Sequence, residues 1–146
     1  MRLFKSLAKH SDTEWEFIDG SYVKAHQHST GAACESEQAI ALSRGGNTSK
    51  IHLAVDSYGL PIEFIITGGD VHDSKVANEL IELLPPSDFV IADKGYDSEV
   101  IRDKVRERNS SPIIPRKKNS KIGNDDIDWC LYEYRHLFEN AFARLK

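Results

Sequence analysis

The sequence is poor in cysteine and lacks long apolar runs. Its two cysteines, Cys34 and Cys130, share no metal-ligand spacing and suggest no disulfide framework, so we expect free thiols in a reducing cytoplasm. No apolar run approaches the roughly 20 residues that span a bilayer, and segment 1–10 has no apolar core of the kind that a signal peptide needs. These absences exclude a disulfide-stapled secreted domain and predict a cytoplasmic protein without membrane spans.

An excess of positive charge is also missing. The chain has 19 basic and 23 acidic residues and a net charge of −4, which does not indicate a nucleic-acid partner. Residues 101–121 are the exception, with eight Lys or Arg against two acidic residues, a net of +6 that leaves −10 on the rest. This distribution suits a site that gathers cations beside a surface that meets phosphates, although a solvated helix followed by a basic loop explains the same charges.

The apolar patterns predict strands that alternate with helices. Period-two and β-branched runs indicate strands, and periods near 3.6 bounded by cap residues or prolines indicate helices. The predicted strands are 15–23, 50–56, 62–67, 89–92 and 113–114, the predicted helices are 74–84, 97–108 and 128–146, and 26–47 is a predicted loop. This order predicts an α/β fold, a mixed sheet with helices on its faces, in one domain over 15–146 that follows a linker or remnant over 1–14.

Three carboxylates stand out because of the elements that carry them. Asp19 lies inside an apolar strand and Asp93 directly follows one, although aspartate is depleted in strands and rarely buried unless it is paired or bound to metal. For either residue alone, a cap or turn role explains the position equally well. Together with Glu139 on the last helix they provide the oxygen ligands that a pair of Mg²⁺ ions uses.

The last predicted helix carries a polar stripe. At 100° per residue, Tyr132, Arg135, Glu139 and Lys146 fall within about 60° of each other. The adjoining apolar face consists of Phe138, Phe142 and Leu145. Docking by that face would hold the stripe at the rim of the sheet. The alternative is an Arg–Glu pair four residues apart on a solvated face.

A short basic run follows Pro115. Arg116, Lys117 and Lys118 are candidates for contact with DNA phosphates, because ammonium and guanidinium groups supply most of the affinity for nucleic-acid backbones. A disordered basic loop is an equally good explanation of this run.

Two groups of histidines are weaker candidates. His26 and His28 alternate on a polar segment, but no Cys or further His completes a tetrahedral zinc set, so we predict a polar loop near the substrate. His72 precedes a predicted helix for which Asp73 or Ser74 is the natural N-cap. We therefore predict a capping role there, with contact between His72 and the active site as the minor alternative.

Five motifs in order carry a resemblance to a known family. They are 17–26 (FIDGSYVKAH), 44–52 (RGGNTSKIH), 69–74 (GDVHDS), 91–97 (IADKGYD) and the stripe of Tyr132, Arg135, Glu139 and Lys146, spaced Y-(2)-R-(3)-E-(6)-K. With these motifs the chain resembles the DDE transposases of bacterial insertion sequences, specifically the insertion-sequence-five group, over nearly all of 16–146.

The resemblance implies an RNase H-like fold, in which three antiparallel strands are followed by parallel strands. It implies that Asp19, Asp93 and Glu139 are the catalytic residues and that they hold two Mg²⁺ or Mn²⁺ ions. With DNA as the implied substrate, Arg135 and Lys146 are predicted to hold backbone phosphate and Tyr132 to contact DNA. The implied activity is transposition by metal-dependent strand cleavage and strand transfer. The implied partners are the ends of the insertion sequence, target DNA, further copies of the chain and an N-terminal product of another frame, at the bacterial nucleoid.

Two departures from the family pattern concern the termini. Only about 15 residues precede the first strand, where family members usually carry a helical DNA-binding region, and the sequence stops at Lys146, where they usually continue. These departures predict a second-frame product or a truncated copy. Two other functions therefore stay open, an RNase H-like nuclease that joins nothing and an inactive DNA-binding remnant.

Overall fold

The computed structural model describes residues 14–24, 41–43 and 46–136. It contains six strands, namely β1 (Trp15–Lys24), β2 (Ala41–Ser43), β3 (Gly46–Val55), β4 (Pro61–Gly68), β5 (Phe89–Ala92) and β6 (Ser111–Ile113). Its α-helices are α1 (Asp73–Leu83), α2 (Glu99–Glu107) and α3 (Trp129–Glu133), and a 3₁₀ turn spans Lys94–Tyr96.

All six strands join one mixed sheet. The long strand β3 pairs antiparallel with β1 on one side and with β4 and the short β2 on the other. The parallel strands β5 and β6 extend the sheet beyond β1. The antiparallel strands β1 to β4 are followed by the parallel strands β5 and β6, with α1 and α2 between the later strands. Apart from the short added strand β2, this confirms the predicted α/β class and its RNase H-like order.

The predicted elements agree with the observed ones except at their ends. β3 begins at Gly46 rather than at residue 50, because β2 pairs with Gly46–Thr48 and extends the ladder into the predicted loop. β6 begins two residues earlier and ends one residue earlier than predicted, in register with β5. The prediction that Asp73 or Ser74 caps α1 is wrong, since His72 is the N-cap and its Nδ1 accepts from the Ser74 N–H at 3.4 Å.

The sheet has an apolar core on each face, because successive side chains of a strand point to opposite sides. Ile18, Ala54 and Ala92 pack with α1 and α2 on the first face. Phe17 and Leu53 pack on the second face, where Leu131 of α3 joins them. On β1, residue 19 therefore shares the α3 face with Phe17, and residue 20 shares the α1 face with Ile18.

The helices found are short. Within the described ranges, none combines the length and the apolar character that crossing a bilayer requires. α3 and the turn after it are described as far as His136, so most of the helix predicted over 128–146 lies outside the described residues.

Candidate active site

Two of the three predicted carboxylates follow paired residues of neighbouring strands. Ile18 of β1 is in register with Ala92, the last residue of the parallel strand β5. Asp19 comes next on β1, and Asp93 directly follows the end of β5. The Gly20 N–H donates to Asp19 Oδ1 at 2.7 Å, and the Lys94 N–H donates to Asp93 Oδ1 at 2.7 Å. The sheet thus brings Asp19 and Asp93 together, and local backbone bonds fix an oxygen of each.

The electrostatics of Asp19 agree with this placement. Burial raises the pKa of Asp19, and the negative charges of Asp93 and Asp73 raise it further. The Gly20 N–H and the Arg135 guanidinium act in the opposite direction. Two additional carboxylates and one guanidinium are therefore close enough to act on the charge of Asp19.

Tyr132 and Arg135, two members of the predicted stripe, contact Asp93. Arg135 Nη1 lies 3.2 Å from Asp93 Oδ1 and donates to the Tyr132 hydroxyl at 2.9 Å. The Tyr132 hydroxyl in turn donates to Asp93 Oδ1 at 3.5 Å. The two side chains form a bridge from α3 and its C-terminal turn to the end of β5, and their predicted contact with DNA stays a prediction.

Aromatic contacts hold α3 and the turn after it in place. Trp15 of β1 and Tyr134, which directly follows α3, have ring centroids 5.1 Å apart and join this turn to the sheet. Within α3, the rings of Trp129 and Tyr132 meet edge to face with centroids 5.7 Å apart. Such pairs stabilise a contact beyond the apolar area that they bury. They position Tyr132 and Arg135, although α3 itself has only five residues.

Glu139, Lys146, His26 and His28 lie outside the described residues. Within the described ranges, no group of three or more His, Cys, Asp or Glu side chains is arranged to hold a metal ion. The three-carboxylate metal set therefore stays a prediction that depends on Glu139.

A second charged group, which the sequence interpretation missed, lies on the α1 face. Lys50 Nζ is 2.5 Å from Asp73 Oδ1, and His52 Nδ1 is 3.5 Å from the same oxygen. The side chains of Lys50 and His52 are 6% and 0% exposed, and His52 Nε2 bonds to Thr67 Oγ1 at 3.0 Å. The available signal was the alternation of Lys50 and His52, which places two ionisable side chains on one face of a buried strand.

Most cations of the basic segment 101–121 already have partners within the protein. Five of its eight cations pair with carboxylates or with backbone carbonyls, namely Arg102, Lys104, Arg106, Arg108 and Arg116. Arg108 is typical, since it donates to the carbonyl oxygens of Leu84 and Pro85 at 2.6 and 2.9 Å and so satisfies groups at the end of α1. Four of these five pair with carboxylates, so the charge of this segment is partly compensated by its neighbours.

Arg116 requires a correction. Its Nη1 and Nη2 donate to the two carboxylate oxygens of Asp126 at 2.5 and 2.9 Å, and its side chain is 6% exposed. A guanidinium held in this way does not present itself to a phosphate, so the predicted DNA contact conflicts with its placement. Lys117 and Lys118 are exposed beside it. The alternative of a disordered loop also fits poorly, because the Lys117 N–H donates to Asp97 Oδ2 at 2.8 Å.

Comparison with known proteins gives a consistent result. A family model described as "Transposase DDE domain" matches residues 17–146. The chain is 32% identical over 99 residues to a protein assigned as the transposase of insertion sequence element IS6501 in Brucella ovis, covering 68% of this chain and 76% of that protein. It is also 32% identical over 110 residues to one assigned to IS402 in Burkholderia cepacia, covering 67% of this chain and 52% of that one.

A third relative is the transposase for insertion sequence element IS1106 of Neisseria meningitidis serogroup B, 31% identical over 100 residues, with 66% of this chain and 35% of the relative covered. Among solved structures, the Mos1 transposase paired-end complex with left transposon end matches with a TM-score of 0.46 and 12% identity, over 99% of this chain and 56% of that chain. The structural likeness is distant, and the sequence matches stand without it.

Proposed function

Because the chain belongs to the transposase DDE domain family, we propose that it catalyses DNA transposition of an insertion sequence by divalent-metal-dependent strand cleavage and strand transfer. The observation that carries the proposal is that Asp19 and Asp93 directly follow two paired residues, Ile18 of β1 and Ala92 of β5. Both lie within the segment that matches the family. DNA, as insertion-sequence ends and as target, is the proposed substrate.

The residues present suit a divalent cation. Asp19 and Asp93 offer hard carboxylate oxygens, which Mg²⁺ and Mn²⁺ prefer. The Arg135 guanidinium, 3.2 Å from Asp93 Oδ1, shows that this position accommodates a positive charge. We propose that Asp19, Asp93 and Glu139 hold two such ions, with Glu139 supplied by the segment after α3. When bound, the ions would stabilise charge on the attacking and leaving oxygens of the phosphodiester.

The protein's own side chains would orient the DNA. Arg135 can exchange its contact with Asp93 for a bidentate contact with a backbone phosphate, since guanidinium matches the geometry of both acceptors. Tyr132 would follow Arg135, because its hydroxyl accepts from the same guanidinium. Lys146 is a further proposed phosphate contact, and Lys117 and Lys118 extend the surface at the exposed loop after β6.

The wider assembly is also a proposal. A homo-oligomer would serve cleavage and joining at the two ends of an element. An N-terminal region or a separate N-terminal product would recognise the DNA. The chain spans about three quarters of one of the relatives described, half of another and a third of the last. With DNA as its substrate, the protein would act at the nucleoid in the bacterial cytoplasm.

A cleavage-and-joining assay tests the function. The full chain is incubated with Mg²⁺ or Mn²⁺ and DNA that carries the inverted repeats flanking its coding sequence. Cleavage followed by joining to a target supports transposition, cleavage alone indicates an RNase H-like nuclease, and binding without cleavage indicates a remnant. Glu139→Gln keeps the side-chain size and one acceptor oxygen but removes the charge that would hold the cation, so it should abolish cleavage. The exposed Asp70→Asn is the matched control.

A further inference from the structure

Asp73 approaches the two catalytic candidates through space that two glycines leave open. A methyl group at Gly20, directly after Asp19, would lie 3.1 Å from Asp73 Oδ1 and 2.7 Å from Lys50 Cε. A methyl group at Gly95, two residues after Asp93, would lie 3.4 Å from Asp73 Oδ2. The carboxylate of Asp73 therefore sits against the backbone of both motifs.

This approach is possible because of where the strands end. Asp19 shares the α3 face and Asp73 begins α1 on the opposite face, but β5 ends at Ala92 whereas β1 continues to Lys24. Because β5 does not continue beyond Ala92, the sheet no longer separates its two faces on that side of β1. In agreement with this geometry, the charge of Asp73 raises the pKa of Asp19 in addition to the effect of burial.

A buried hydroxyl marks the same place. Tyr96 is 2% exposed, and its hydroxyl finds no hydrogen-bond partner among the residues that the structure describes. It would lie 3.3 Å from a methyl group at Gly20. Burial raises the pKa of the Tyr96 hydroxyl, and the negative charges of Asp73, Asp19 and Asp93 raise it further. A donor enclosed in this way is normally paired, so a hydroxyl without a partner close to Asp73 fits a site that takes up a further group.

Lys50 is the cation that this site already contains. Its ammonium is 2.5 Å from Asp73 Oδ1 and 4.5 Å from the centroid of the Tyr22 ring. With its side chain 6% exposed, it is not positioned to serve a substrate in solvent. Its observed role is to compensate the charge of Asp73.

We propose that the charge of Asp73 acts on the divalent-cation site from the α1 side of β1, without Asp73 being a ligand, and that Lys50 is an internal cation that limits the affinity of this site. This inference rests on the proposed function, and deepens it by two positioning residues. The charge of Asp73 adds to the attraction that Asp19 and Asp93 exert on a divalent cation, and the charge of Lys50 subtracts from it. The two side chains should therefore change cation affinity in opposite directions.

Binding of Mn²⁺ to the full chain, measured by electron paramagnetic resonance without DNA, tests the proposal. Asp73→Asn should weaken binding about tenfold, because it removes one negative charge close to the cation. Lys50→Gln should tighten it severalfold. Asp70→Asn, three residues before Asp73 and exposed, removes the same charge and should leave the affinity unchanged. A purely structural pair would instead weaken binding in both variants, because each leaves a buried charge unpaired.

The double variant D73N/K50Q keeps the test decisive if a single variant does not fold, because it leaves neither charge alone. Its affinity should lie between those of the two single variants, and an affinity equal to that of K50Q would overturn the inference. Unchanged binding in D73N and K50Q, with loss of binding in Asp19→Asn, would overturn the inference and leave the proposed function intact. Absence of Mn²⁺ binding, or normal binding in Asp19→Asn, would contradict both.

Discussion

The two sides of the sheet meet at the end of β5 with different kinds of ion pair. On the α3 side, the side chains of Arg135 and Asp93 are 26% and 32% exposed and are held by a helix of five residues. On the α1 side, those of Lys50 and Asp73 are 6% and 21% exposed, and the 11-residue helix α1 buries four residues in the core. The first pair is the more exposed one, whereas the second is part of the packed interior. The difference indicates chemistry on one side and fixed charge on the other.

The variant with the largest expected effect removes a carboxylate on the α3 side of the sheet. Asp93→Asn should lower the rate of DNA cleavage more than about a thousandfold, because a metal contributes several kcal/mol of charge stabilisation. The fold should persist, since the Asn side chain can still accept from the Lys94 N–H. The measurement is single-turnover cleavage, with circular dichroism as the check on folding. Cleavage at the parental rate would remove Asp93 from the site.

The α1 face also buries a carboxylate that has no cation in contact. Glu16 is 0% exposed, accepts from Ser87 Oγ at 3.0 Å, and has one oxygen without a partner among the described residues. Burial raises its pKa from 4.5 to about 7, against the opposing effects of Ser87 and Arg108. Glu16 thus shows what the interior costs a carboxylate without the partner that Asp73 has.

This contrast gives a pH-dependent prediction. Below its unfolded pKa, Glu16 is protonated in both states and carries no penalty, and as the pH rises to about 7 only the unfolded state gains from ionisation. Stability relative to Glu16→Gln should therefore fall by about 2–3 kcal/mol between about pH 5 and about pH 8. Urea unfolding at the two pH values measures it, with the exposed Glu79→Gln as control. A difference that does not change with pH would contradict the prediction.

The close approach across the sheet edge is tested by adding a methyl group. Gly20→Ala places Cβ 2.7 Å from Lys50 Cε and 3.1 Å from Asp73 Oδ1, so it should cost about 1–3 kcal/mol of folding free energy. Gly95→Ala meets Asp73 Oδ2 at 3.4 Å, an ordinary contact, and should cost less than about 0.5 kcal/mol. Equal costs in denaturant titrations would show that Asp73 and Lys50 move away easily.

The sequence allowed the α3 side of the sheet to be predicted better than the α1 side. Asp19 and Asp93 interrupt or follow apolar strands, and this local signal is enough when the strands then pair in parallel. Asp73 was interpreted as a helix cap, since its partner Lys50 lies on another strand and only the tertiary fold brings them together. The predicted contact of Arg116 with DNA conflicts with the structure for a related reason. A count of charges treats each cation as exposed, but the fold places Asp126 beside this one.

The smallest expected effect concerns the basic loop on the exposed surface. Lys117 and Lys118 are exposed, unlike Arg116, so changing both to Gln should reduce the slope of log affinity for DNA against log salt by about two if each neutralises one phosphate. The loss should be similar for different DNA sequences, because phosphate contacts carry no base information. Lys75→Gln, exposed on α1, is the matched control. Filter binding at several salt concentrations measures the slope, and an unchanged value would move the DNA-binding surface to the stripe of Tyr132 and Arg135. Such a result would confine both chemistry and DNA contact to the α3 side, since five of the six remaining cations of the basic segment already have partners among the described residues.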